Sequence, residues 1–138
     1  MHATEDEPTI LRKRVVLLSG NIGDEVVRDV EATLLRMDAL SARQITLLLN
    51  SSGGELESAL HLHDFIGVMR SEITAIVVGQ CSSSAVAVLQ ACKYRLMTRN
   101  AYLVLHNGII TRTFRCGSAA SMNLDSLLRE VIESDQRY

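Results

Sequence analysis

Short apolar runs alternate with amphipathic stretches along most of the chain. The runs are rich in β-branched residues and leucine and stop at glycine or polar residues, as buried strands do. Five strands are predicted in this way: Arg14–Gly20, Ile45–Leu49, Ile73–Val78, Tyr94–Met97 and Tyr102–Leu105. The first stretch between strands places Val26, Val30, Leu34 and Met37 at helical spacing. The pattern therefore predicts strands alternating with helices.

Three further helices follow from the same spacing. The second helix directs a large apolar set inward: Leu56, Ala59, Leu60, Leu62, Phe65, Ile66 and Met69. A short apolar helix is predicted from Ser84 to Ala91, and a last one from about Ala119. The last helix carries Leu124, Leu127, Leu128, Val131 and Ile132 on one face. An apolar stripe of this kind marks an interface, so self-association is predicted.

The predicted strands begin at near-constant intervals. Val15, Ile45, Thr74 and Tyr102 are separated by 28 to 30 residues. Continuous apolar strands joined by amphipathic helices predict an α/β fold with a mainly parallel sheet. The regular interval favours a spiral of strand–helix units, and neither a G-x-G-x-x-G nor a Walker-type loop is present. We expect a single domain over residues 1–138, with a flexible tail at residues 1–8.

Composition narrows the functional classes. A net charge of −2 gives no basic surface for nucleic acid or for an acidic membrane. No apolar run approaches the length of a membrane span. The three cysteines are odd in number and show no metal-like spacing, which favours free thiols in the cytoplasm. His61 and His63 lie on different faces of one helix, so neither a metal site nor a cofactor is predicted.

A serine-rich turn follows the third strand. The run Ile73–Val78 stops at Gly79, and Gln80-Cys81-Ser82-Ser83-Ser84 leads into the short apolar helix. A serine at such a turn lies beside the free N–H groups of a helix N-terminus, where a nucleophile needs its oxyanion donors. Serine is also a favoured helix cap, so N-capping is the alternative interpretation.

Two other segments follow predicted strands. The glycine-containing loop Asn50-Ser51-Ser52-Gly53-Gly54 ends the second strand, and His106 follows the segment Tyr102–Leu105. Each alone is compatible with an ordinary turn. However, sites in parallel α/β sheets form beyond the carboxyl ends of the strands. A hydroxyl, an imidazole and a glycine loop are therefore expected to converge there, as acyl transfer requires.

These segments together resemble the proteolytic subunit of the Clp protease. That family shows N-S-P-G-G, then G-x-A-A-S-M with the nucleophile at its serine, and then a strand that ends in histidine. The matching segments of this chain are Asn50-Ser51-Ser52-Gly53-Gly54, Gly79-Gln80-Cys81-Ser82-Ser83-Ser84 and Leu103-Val104-Leu105-His106. The first strand, from Arg14 to Ile22, also resembles the family, and the resemblance covers nearly the whole chain.

The resemblance implies a serine-type endopeptidase that cleaves unfolded polypeptides through an acyl-enzyme. Ser83 would be the nucleophile, His106 the general base, and the N–H groups of Gly53 and Ser84 the oxyanion hole. It also implies a crotonase-like fold, a homo-oligomer of stacked heptameric rings, and a Clp-type AAA+ unfoldase as partner.

The sequence departs from the family at several positions. Ser52 stands for the family's proline, Ser84 for its methionine, and Cys81-Ser82 for its two alanines. The family's triad acid lies well past the histidine, beyond Tyr138, and Asp125, Glu130, Glu133 and Asp135 match no acid position. The C-terminal helix is accordingly expected to be cut short. Two alternatives stay open: a weak or inactive structural subunit, and a crotonase-like acyl-thioester enzyme.

Overall fold

A computed structural model of the chain describes residues 13–106. The chain divides into two units, residues 1–105 and residues 106–138, and His106 is the one described residue of the second. Three predictions fall outside the described residues: the tail at residues 1–8, the free thiol of Cys116, and the apolar last helix from Ala119.

Five strands form one sheet. They are β1 (Val15–Ile22), β2 (Ile45–Gly54), β3 (Ile73–Ser82), β4 (Tyr94–Met97) and β5 (Tyr102–Val104). The β2 strand lies between β1 and β3, and β3 pairs first with β4 and then with β5. All four pairings are parallel, so the predicted mainly parallel sheet is confirmed.

Three helices connect the strands. They are α1 (Asp24–Leu40), α2 (Leu56–Gly67) and α3 (Ala85–Ala91). Helix α1 packs on β1 through an aliphatic face, while α2 and α3 pack on each other. Most of the apolar set predicted to face inward from α2 is buried or half-buried. Leu56 is the exception: it is exposed, and it is the first residue of its helix.

The core is aliphatic, as the scarcity of aromatic residues predicts. Its fully buried large side chains are Leu18, Ile22, Leu34, Met37, Ile45, Leu47, Leu49, Leu62, Val77 and Val88, with the thiols of Cys81 and Cys92 among them. Burial of side chains of this size stabilises a fold by about 1.5–3 kcal/mol each before conformational entropy is counted. This core fixes β2 and β3 at the centre of the sheet.

The two segments predicted as loops, Asn50–Gly54 and Gly79–Ser82, lie inside strands. β2 continues to Gly54 and β3 continues to Ser82. Parallel pairing resumes beyond register shifts, which lie between Ser19 and Asn21 in β1 and between Leu49 and Ser51 in β2. The loop prediction was wrong at these segments. A glycine at positive φ can form a β-bulge within a strand, so the strand continues when its neighbours continue.

Arg14 ties together the opposite end of the sheet. This residue is only 6% exposed, and its guanidinium group donates to a ring of acceptors. The acceptors are the carbonyl oxygens of Met37, Ser41, Arg43 and Gln44 and the hydroxyl of Ser71. Burial lowers the pKa of Arg14 from its usual value. These bonds close the carboxyl end of α1 against the start of β2.

Asp38 lies beside this cluster on the last turn of α1. Its Oδ1 accepts bonds from the Ser71 hydroxyl at 2.6 Å and from the Ser71 N–H at 2.7 Å. The Ser71 hydroxyl is the main cause that lowers the pKa of Asp38, with burial opposing it and Arg70 assisting. A carboxylate with these donors is stabilised in its charged form.

Replacing Asp38 by asparagine is expected to lower the free energy of unfolding by about 1–3 kcal/mol at pH 7, because Ser71 loses a charged acceptor. The depressed pKa means that Asp38 contributes stability above its unfolded pKa and loses it as pH falls through the folded pKa. The difference between wild type and Asp38→Asn should therefore shrink below about pH 4. Urea unfolding from pH 7 to pH 2 measures it, with Asp64→Asn as an exposed-carboxylate control. A difference that stays constant with pH would contradict this role.

Candidate active site

Ser83 lies in the turn between β3 and α3. Its φ is +54°, and among the described residues Arg14 is the only other non-glycine residue with positive φ. Its N–H donates to the carbonyl of Val104 at 2.9 Å, which links the turn to β5. A left-handed conformation costs a non-glycine residue on the order of 1–2 kcal/mol. The packing around Ser83 supports this strained turn, which presents a half-buried hydroxyl between strand and helix.

Ser84 occupies the N-cap position of α3 but does not cap the helix. Its side chain makes no cap bond, and its hydroxyl donates to the carbonyl of Gly54 at 3.1 Å. The N–H groups of Val86 and Ala87 donate to the carbonyls of Ser83 and Ser84. The N-capping interpretation is therefore wrong for Ser84, whose side chain joins the turn to the end of β2.

Gly53 lies against the Ser83 turn. It has φ +95°, and a Cβ built on it would lie 2.7 Å from Ser83 Cβ, 2.7 Å from the Ser82 carbonyl oxygen and 3.1 Å from Ser84 N. Only a glycine allows this approach, since a side chain at that position would overlap backbone atoms. The structure thus brings together three of the predicted site residues: Gly53, Ser83 and Ser84.

The neighbouring Gly54 packs in the other direction. A Cβ on Gly54 would overlap the backbone of Ile22 in β1, and its φ is +153°. The paired glycines therefore have separate roles. Gly53 allows contact with the serine turn, and Gly54 allows contact with the first strand.

Sequence reasoning missed the Ser51 side chain. Ser51 is 1% exposed, and its hydroxyl donates to the Gly20 carbonyl at 2.6 Å. The same oxygen accepts the Gly53 N–H at 3.0 Å. A serine two residues before a glycine is a known signal for such a hydroxyl-to-amide turn. The partner in β1 could not be read from the sequence because it depends on the strand register.

Asn50 organises a second missed contact at this edge. Its Oδ1 accepts the N–H of Gln80 at 3.2 Å. A Cβ on Gly79, which has φ +95°, would lie 2.8 Å from that oxygen. The hydroxyl of Tyr102 donates to Gln80 Oε1 at 3.1 Å. Side chains from β2, β3 and β5 therefore brace the strand end that leads to Ser83.

Cys81 is the other potential nucleophile near the turn. It is fully buried, and burial raises the pKa of its thiol to about 11. Burial likewise raises the pKa of Cys92 to about 12. Because a thiolate is the reactive form of cysteine, neither side chain is a nucleophile near neutral pH. The prediction of free thiols is confirmed for these two residues.

His106 follows β5 by two residues and is exposed. It is the first residue of the second unit, and its role as general base stays a prediction. Asp125, Glu130, Glu133 and Asp135, which match no acid position of the family, lie outside the described residues. The other two described histidines contact carboxylates outside this site. His61 Nε2 lies 2.8 Å from Glu31 Oε1, and His63 Nδ1 lies 3.0 Å from Asp64 Oδ1.

Residues 13–106 show neither a metal cluster nor a membrane span. In that part of the chain, no three His, Cys, Asp or Glu side chains cluster closely enough to hold a metal ion. None of the helices described there has both the length and the apolar character of a membrane span.

Comparison with known proteins gives a family match over most of the chain. The model of the Clp protease family matches residues 2–127. A protein named ATP-dependent Clp protease proteolytic subunit, from Carsonella ruddii (strain PV), is 29% identical over 92% of this chain and 64% of its own length. ATP-dependent Clp protease proteolytic subunit 1 from Rhodococcus jostii (strain RHA1) is 32% identical over 70% of this chain and 46% of its own length. The chain thus spans less than two thirds of these relatives.

Solved structures show the same fold. ClpP1 from Listeria monocytogenes superposes with a TM-score of 0.69 at 23% identity, covering 92% of this chain and 72% of that one. Its N165D mutant gives a TM-score of 0.75 at 23% identity, covering 94% of this chain and 70% of that one. The predicted crotonase-like fold is thereby confirmed.

Proposed function

This chain belongs to the Clp protease family, and on that premise we propose that it is a serine-type endopeptidase that cleaves unfolded polypeptides. The observation that carries the proposal is the strained turn at Ser83, packed against Gly53. A hydroxyl raised on a strand-to-helix turn, with backbone amides beside it, is the arrangement that acyl transfer needs.

The proposed reaction has two halves. In the first, Ser83 Oγ attacks the peptide carbonyl carbon while His106 takes the hydroxyl proton. The tetrahedral oxyanion that forms accepts hydrogen bonds from the N–H groups of Gly53 and Ser84. His106 then gives its proton to the leaving amine, and the C–N bond breaks to leave an acyl-enzyme. In the second half, His106 takes a proton from water, and the water oxygen attacks the ester carbon. The ester bond to Ser83 then breaks, which releases the peptide's new carboxyl end and restores the Ser83 hydroxyl with the proton that His106 held.

We further propose that the protein works as a homo-oligomeric ring in the cytoplasm, with a Clp-type AAA+ unfoldase that supplies unfolded chains. The names of the two relatives support an ATP-dependent partner. Two buried, free thiols at Cys81 and Cys92 fit a reducing compartment.

Replacing His106 by alanine is expected to slow acylation by an activated p-nitrophenyl ester about 100-fold, the lower end of what a general base contributes. Single-turnover release of p-nitrophenol measures the rate. His63→Ala serves as the control, since His63 pairs with Asp64 on the surface of α2.

The outcomes separate the proposed enzyme from its structural alternative. A wild-type protein that acylates no faster than Ser83→Ala would favour an inactive structural subunit. Acylation that depends on Ser83 but is unchanged in His106→Ala would keep the peptidase and assign the base to another residue.

A further inference from the structure

The amide of Gly53 already has an acceptor. Its N–H donates to Ser51 Oγ at 3.0 Å, although it is one of the two donors proposed for the oxyanion. The Ser51 hydroxyl uses its single proton on the Gly20 carbonyl, 2.6 Å away, so its lone pairs face Gly53. With Ser51 only 1% exposed, water does not compete for either bond.

The position of Ser51 explains why this arrangement is held firmly. The β1–β2 register shifts between Ser19 and Asn21, and Gly20 in that bulge has φ +88°. The Ser51 side chain bridges the bulge and replaces the ladder bond that the shift interrupts. The orientation of the Gly53 amide is therefore coupled to β1 through one hydroxyl.

We propose that Ser51 is a positioning residue that holds the Gly53 amide away from the substrate until negative charge develops on the reacting oxygen. This inference rests on the proposed function. A neutral substrate carbonyl is no better an acceptor than the Ser51 hydroxyl, so the amide stays with Ser51 in the ground state. An oxyanion is a much stronger acceptor, so the amide transfers to it in the transition state.

The free energy that the oxyanion gains from the Gly53 amide is then reduced by the cost of breaking the hydrogen bond between Gly53 N–H and Ser51 Oγ. Removing the hydroxyl in Ser51→Ala should raise the acylation rate constant divided by KM about three- to tenfold, the factor that corresponds to one neutral hydrogen bond. The gain is expected in this ratio because the free variant no longer holds the Gly53 amide in a hydrogen bond, whereas the transition state uses that amide in both proteins.

The test compares single-turnover acylation by a p-nitrophenyl ester in wild type, Ser51→Ala, Ser51→Thr and Ser52→Ala, with the modified serine identified by mass spectrometry. Ser51→Thr keeps the hydroxyl and should match wild type. Ser52→Ala removes an exposed hydroxyl from the adjacent position and should also match it. A variant that had only lost packing would acylate more slowly, so an increase in the rate constant divided by KM distinguishes a positioning role.

A second measurement uses the wild-type protein and no variant. The Gly53 amide proton is followed by NMR while a peptide boronate forms its tetrahedral adduct with Ser83. Exchange of a hydroxyl acceptor for an anionic oxygen should move that resonance downfield.

The outcomes are distinct. An equal or slower rate in Ser51→Ala, with Ser83 modified in both proteins, would overturn this inference and leave the proposed function intact. A Gly53 resonance that stays in place in the boronate adduct would overturn this inference and the oxyanion role of Gly53, while the adduct itself would keep Ser83 as the nucleophile. An ester that never modifies Ser83 would overturn the proposed function, and this inference with it.

Discussion

Replacing Gly53 by alanine is expected to abolish acylation of Ser83 and to destabilise the protein. The new Cβ would lie 2.7 Å from both Ser83 Cβ and the Ser82 carbonyl oxygen, and the backbone would keep φ +95°. Strain and overlap together should cost about 2–4 kcal/mol. This corresponds to a fall in Tm of about 10 °C for a domain of this size. Calorimetry and ester acylation measure the two effects.

Gly67→Ala is the matched control for this substitution. Gly67 is the last residue of α2, and a Cβ built on it meets nothing within 4 Å. Alanine at a helical position should be neutral or stabilise by up to about 1 kcal/mol. If Gly53→Ala kept the Tm and acylation rate of Gly67→Ala, the close approach of β2 to the serine turn would not matter for function.

Replacing Ser83 by alanine is expected to lower single-turnover acylation by about 10³-fold or more, because it removes the hydroxyl on which the acyl-enzyme is proposed to form. Alanine at φ +54° is strained like serine, so the fold should be retained. Ser84→Ala should lower the rate less, since it loses only the bond to the Gly54 carbonyl and keeps the backbone amide. Comparable losses in the two variants would indicate that the turn, and not the Ser83 hydroxyl, controls the rate.

The alternation of strands and helices was predictable from the sequence. Apolar runs such as Ile45–Leu49 and Ile73–Val78 are long enough, and rich enough in branched residues, to indicate strands buried on both faces. The spacing of apolar residues from Val30 to Met37 likewise indicated α1, whose buried face contains Val30, Leu34 and Met37. The spacing of apolar residues along one segment is a local property, so it can be read from the sequence without knowledge of the neighbouring elements.

The ends of the strands were not predictable in the same way. Glycines at 53, 54 and 79 look like loop residues, yet they lie inside β2 and β3. Whether a positive-φ glycine ends a strand or forms a bulge depends on the neighbouring strand, which the local sequence does not describe. Leu56 was assigned to the core on periodicity alone and is exposed at the start of its helix.

The convergence of the candidate site was predicted in part. The rule that sites form beyond the carboxyl ends of parallel strands placed Gly53 and Ser83 together, and the structure has them in contact. The bonds of Ser51 to Gly20 and Gly53, and of Asn50 to Gln80, were missed. They connect residues in different strands or across a bulge, so they depend on register and not on residue type.

The most direct test of the central claim is the site of covalent modification by a fluorophosphonate. The three consecutive serines make it discriminating, because Ser82 is buried at the end of β3, Ser83 lies in the strained turn, and Ser84 is bonded to Gly54. After labelling and proteolysis, peptide mass spectrometry locates the adduct. Modification of Ser83, absent in Ser83→Ala, is the expected result. An adduct on Ser82 or Ser84 with Ser83 unmodified would contradict the assignment of Ser83 as the nucleophile.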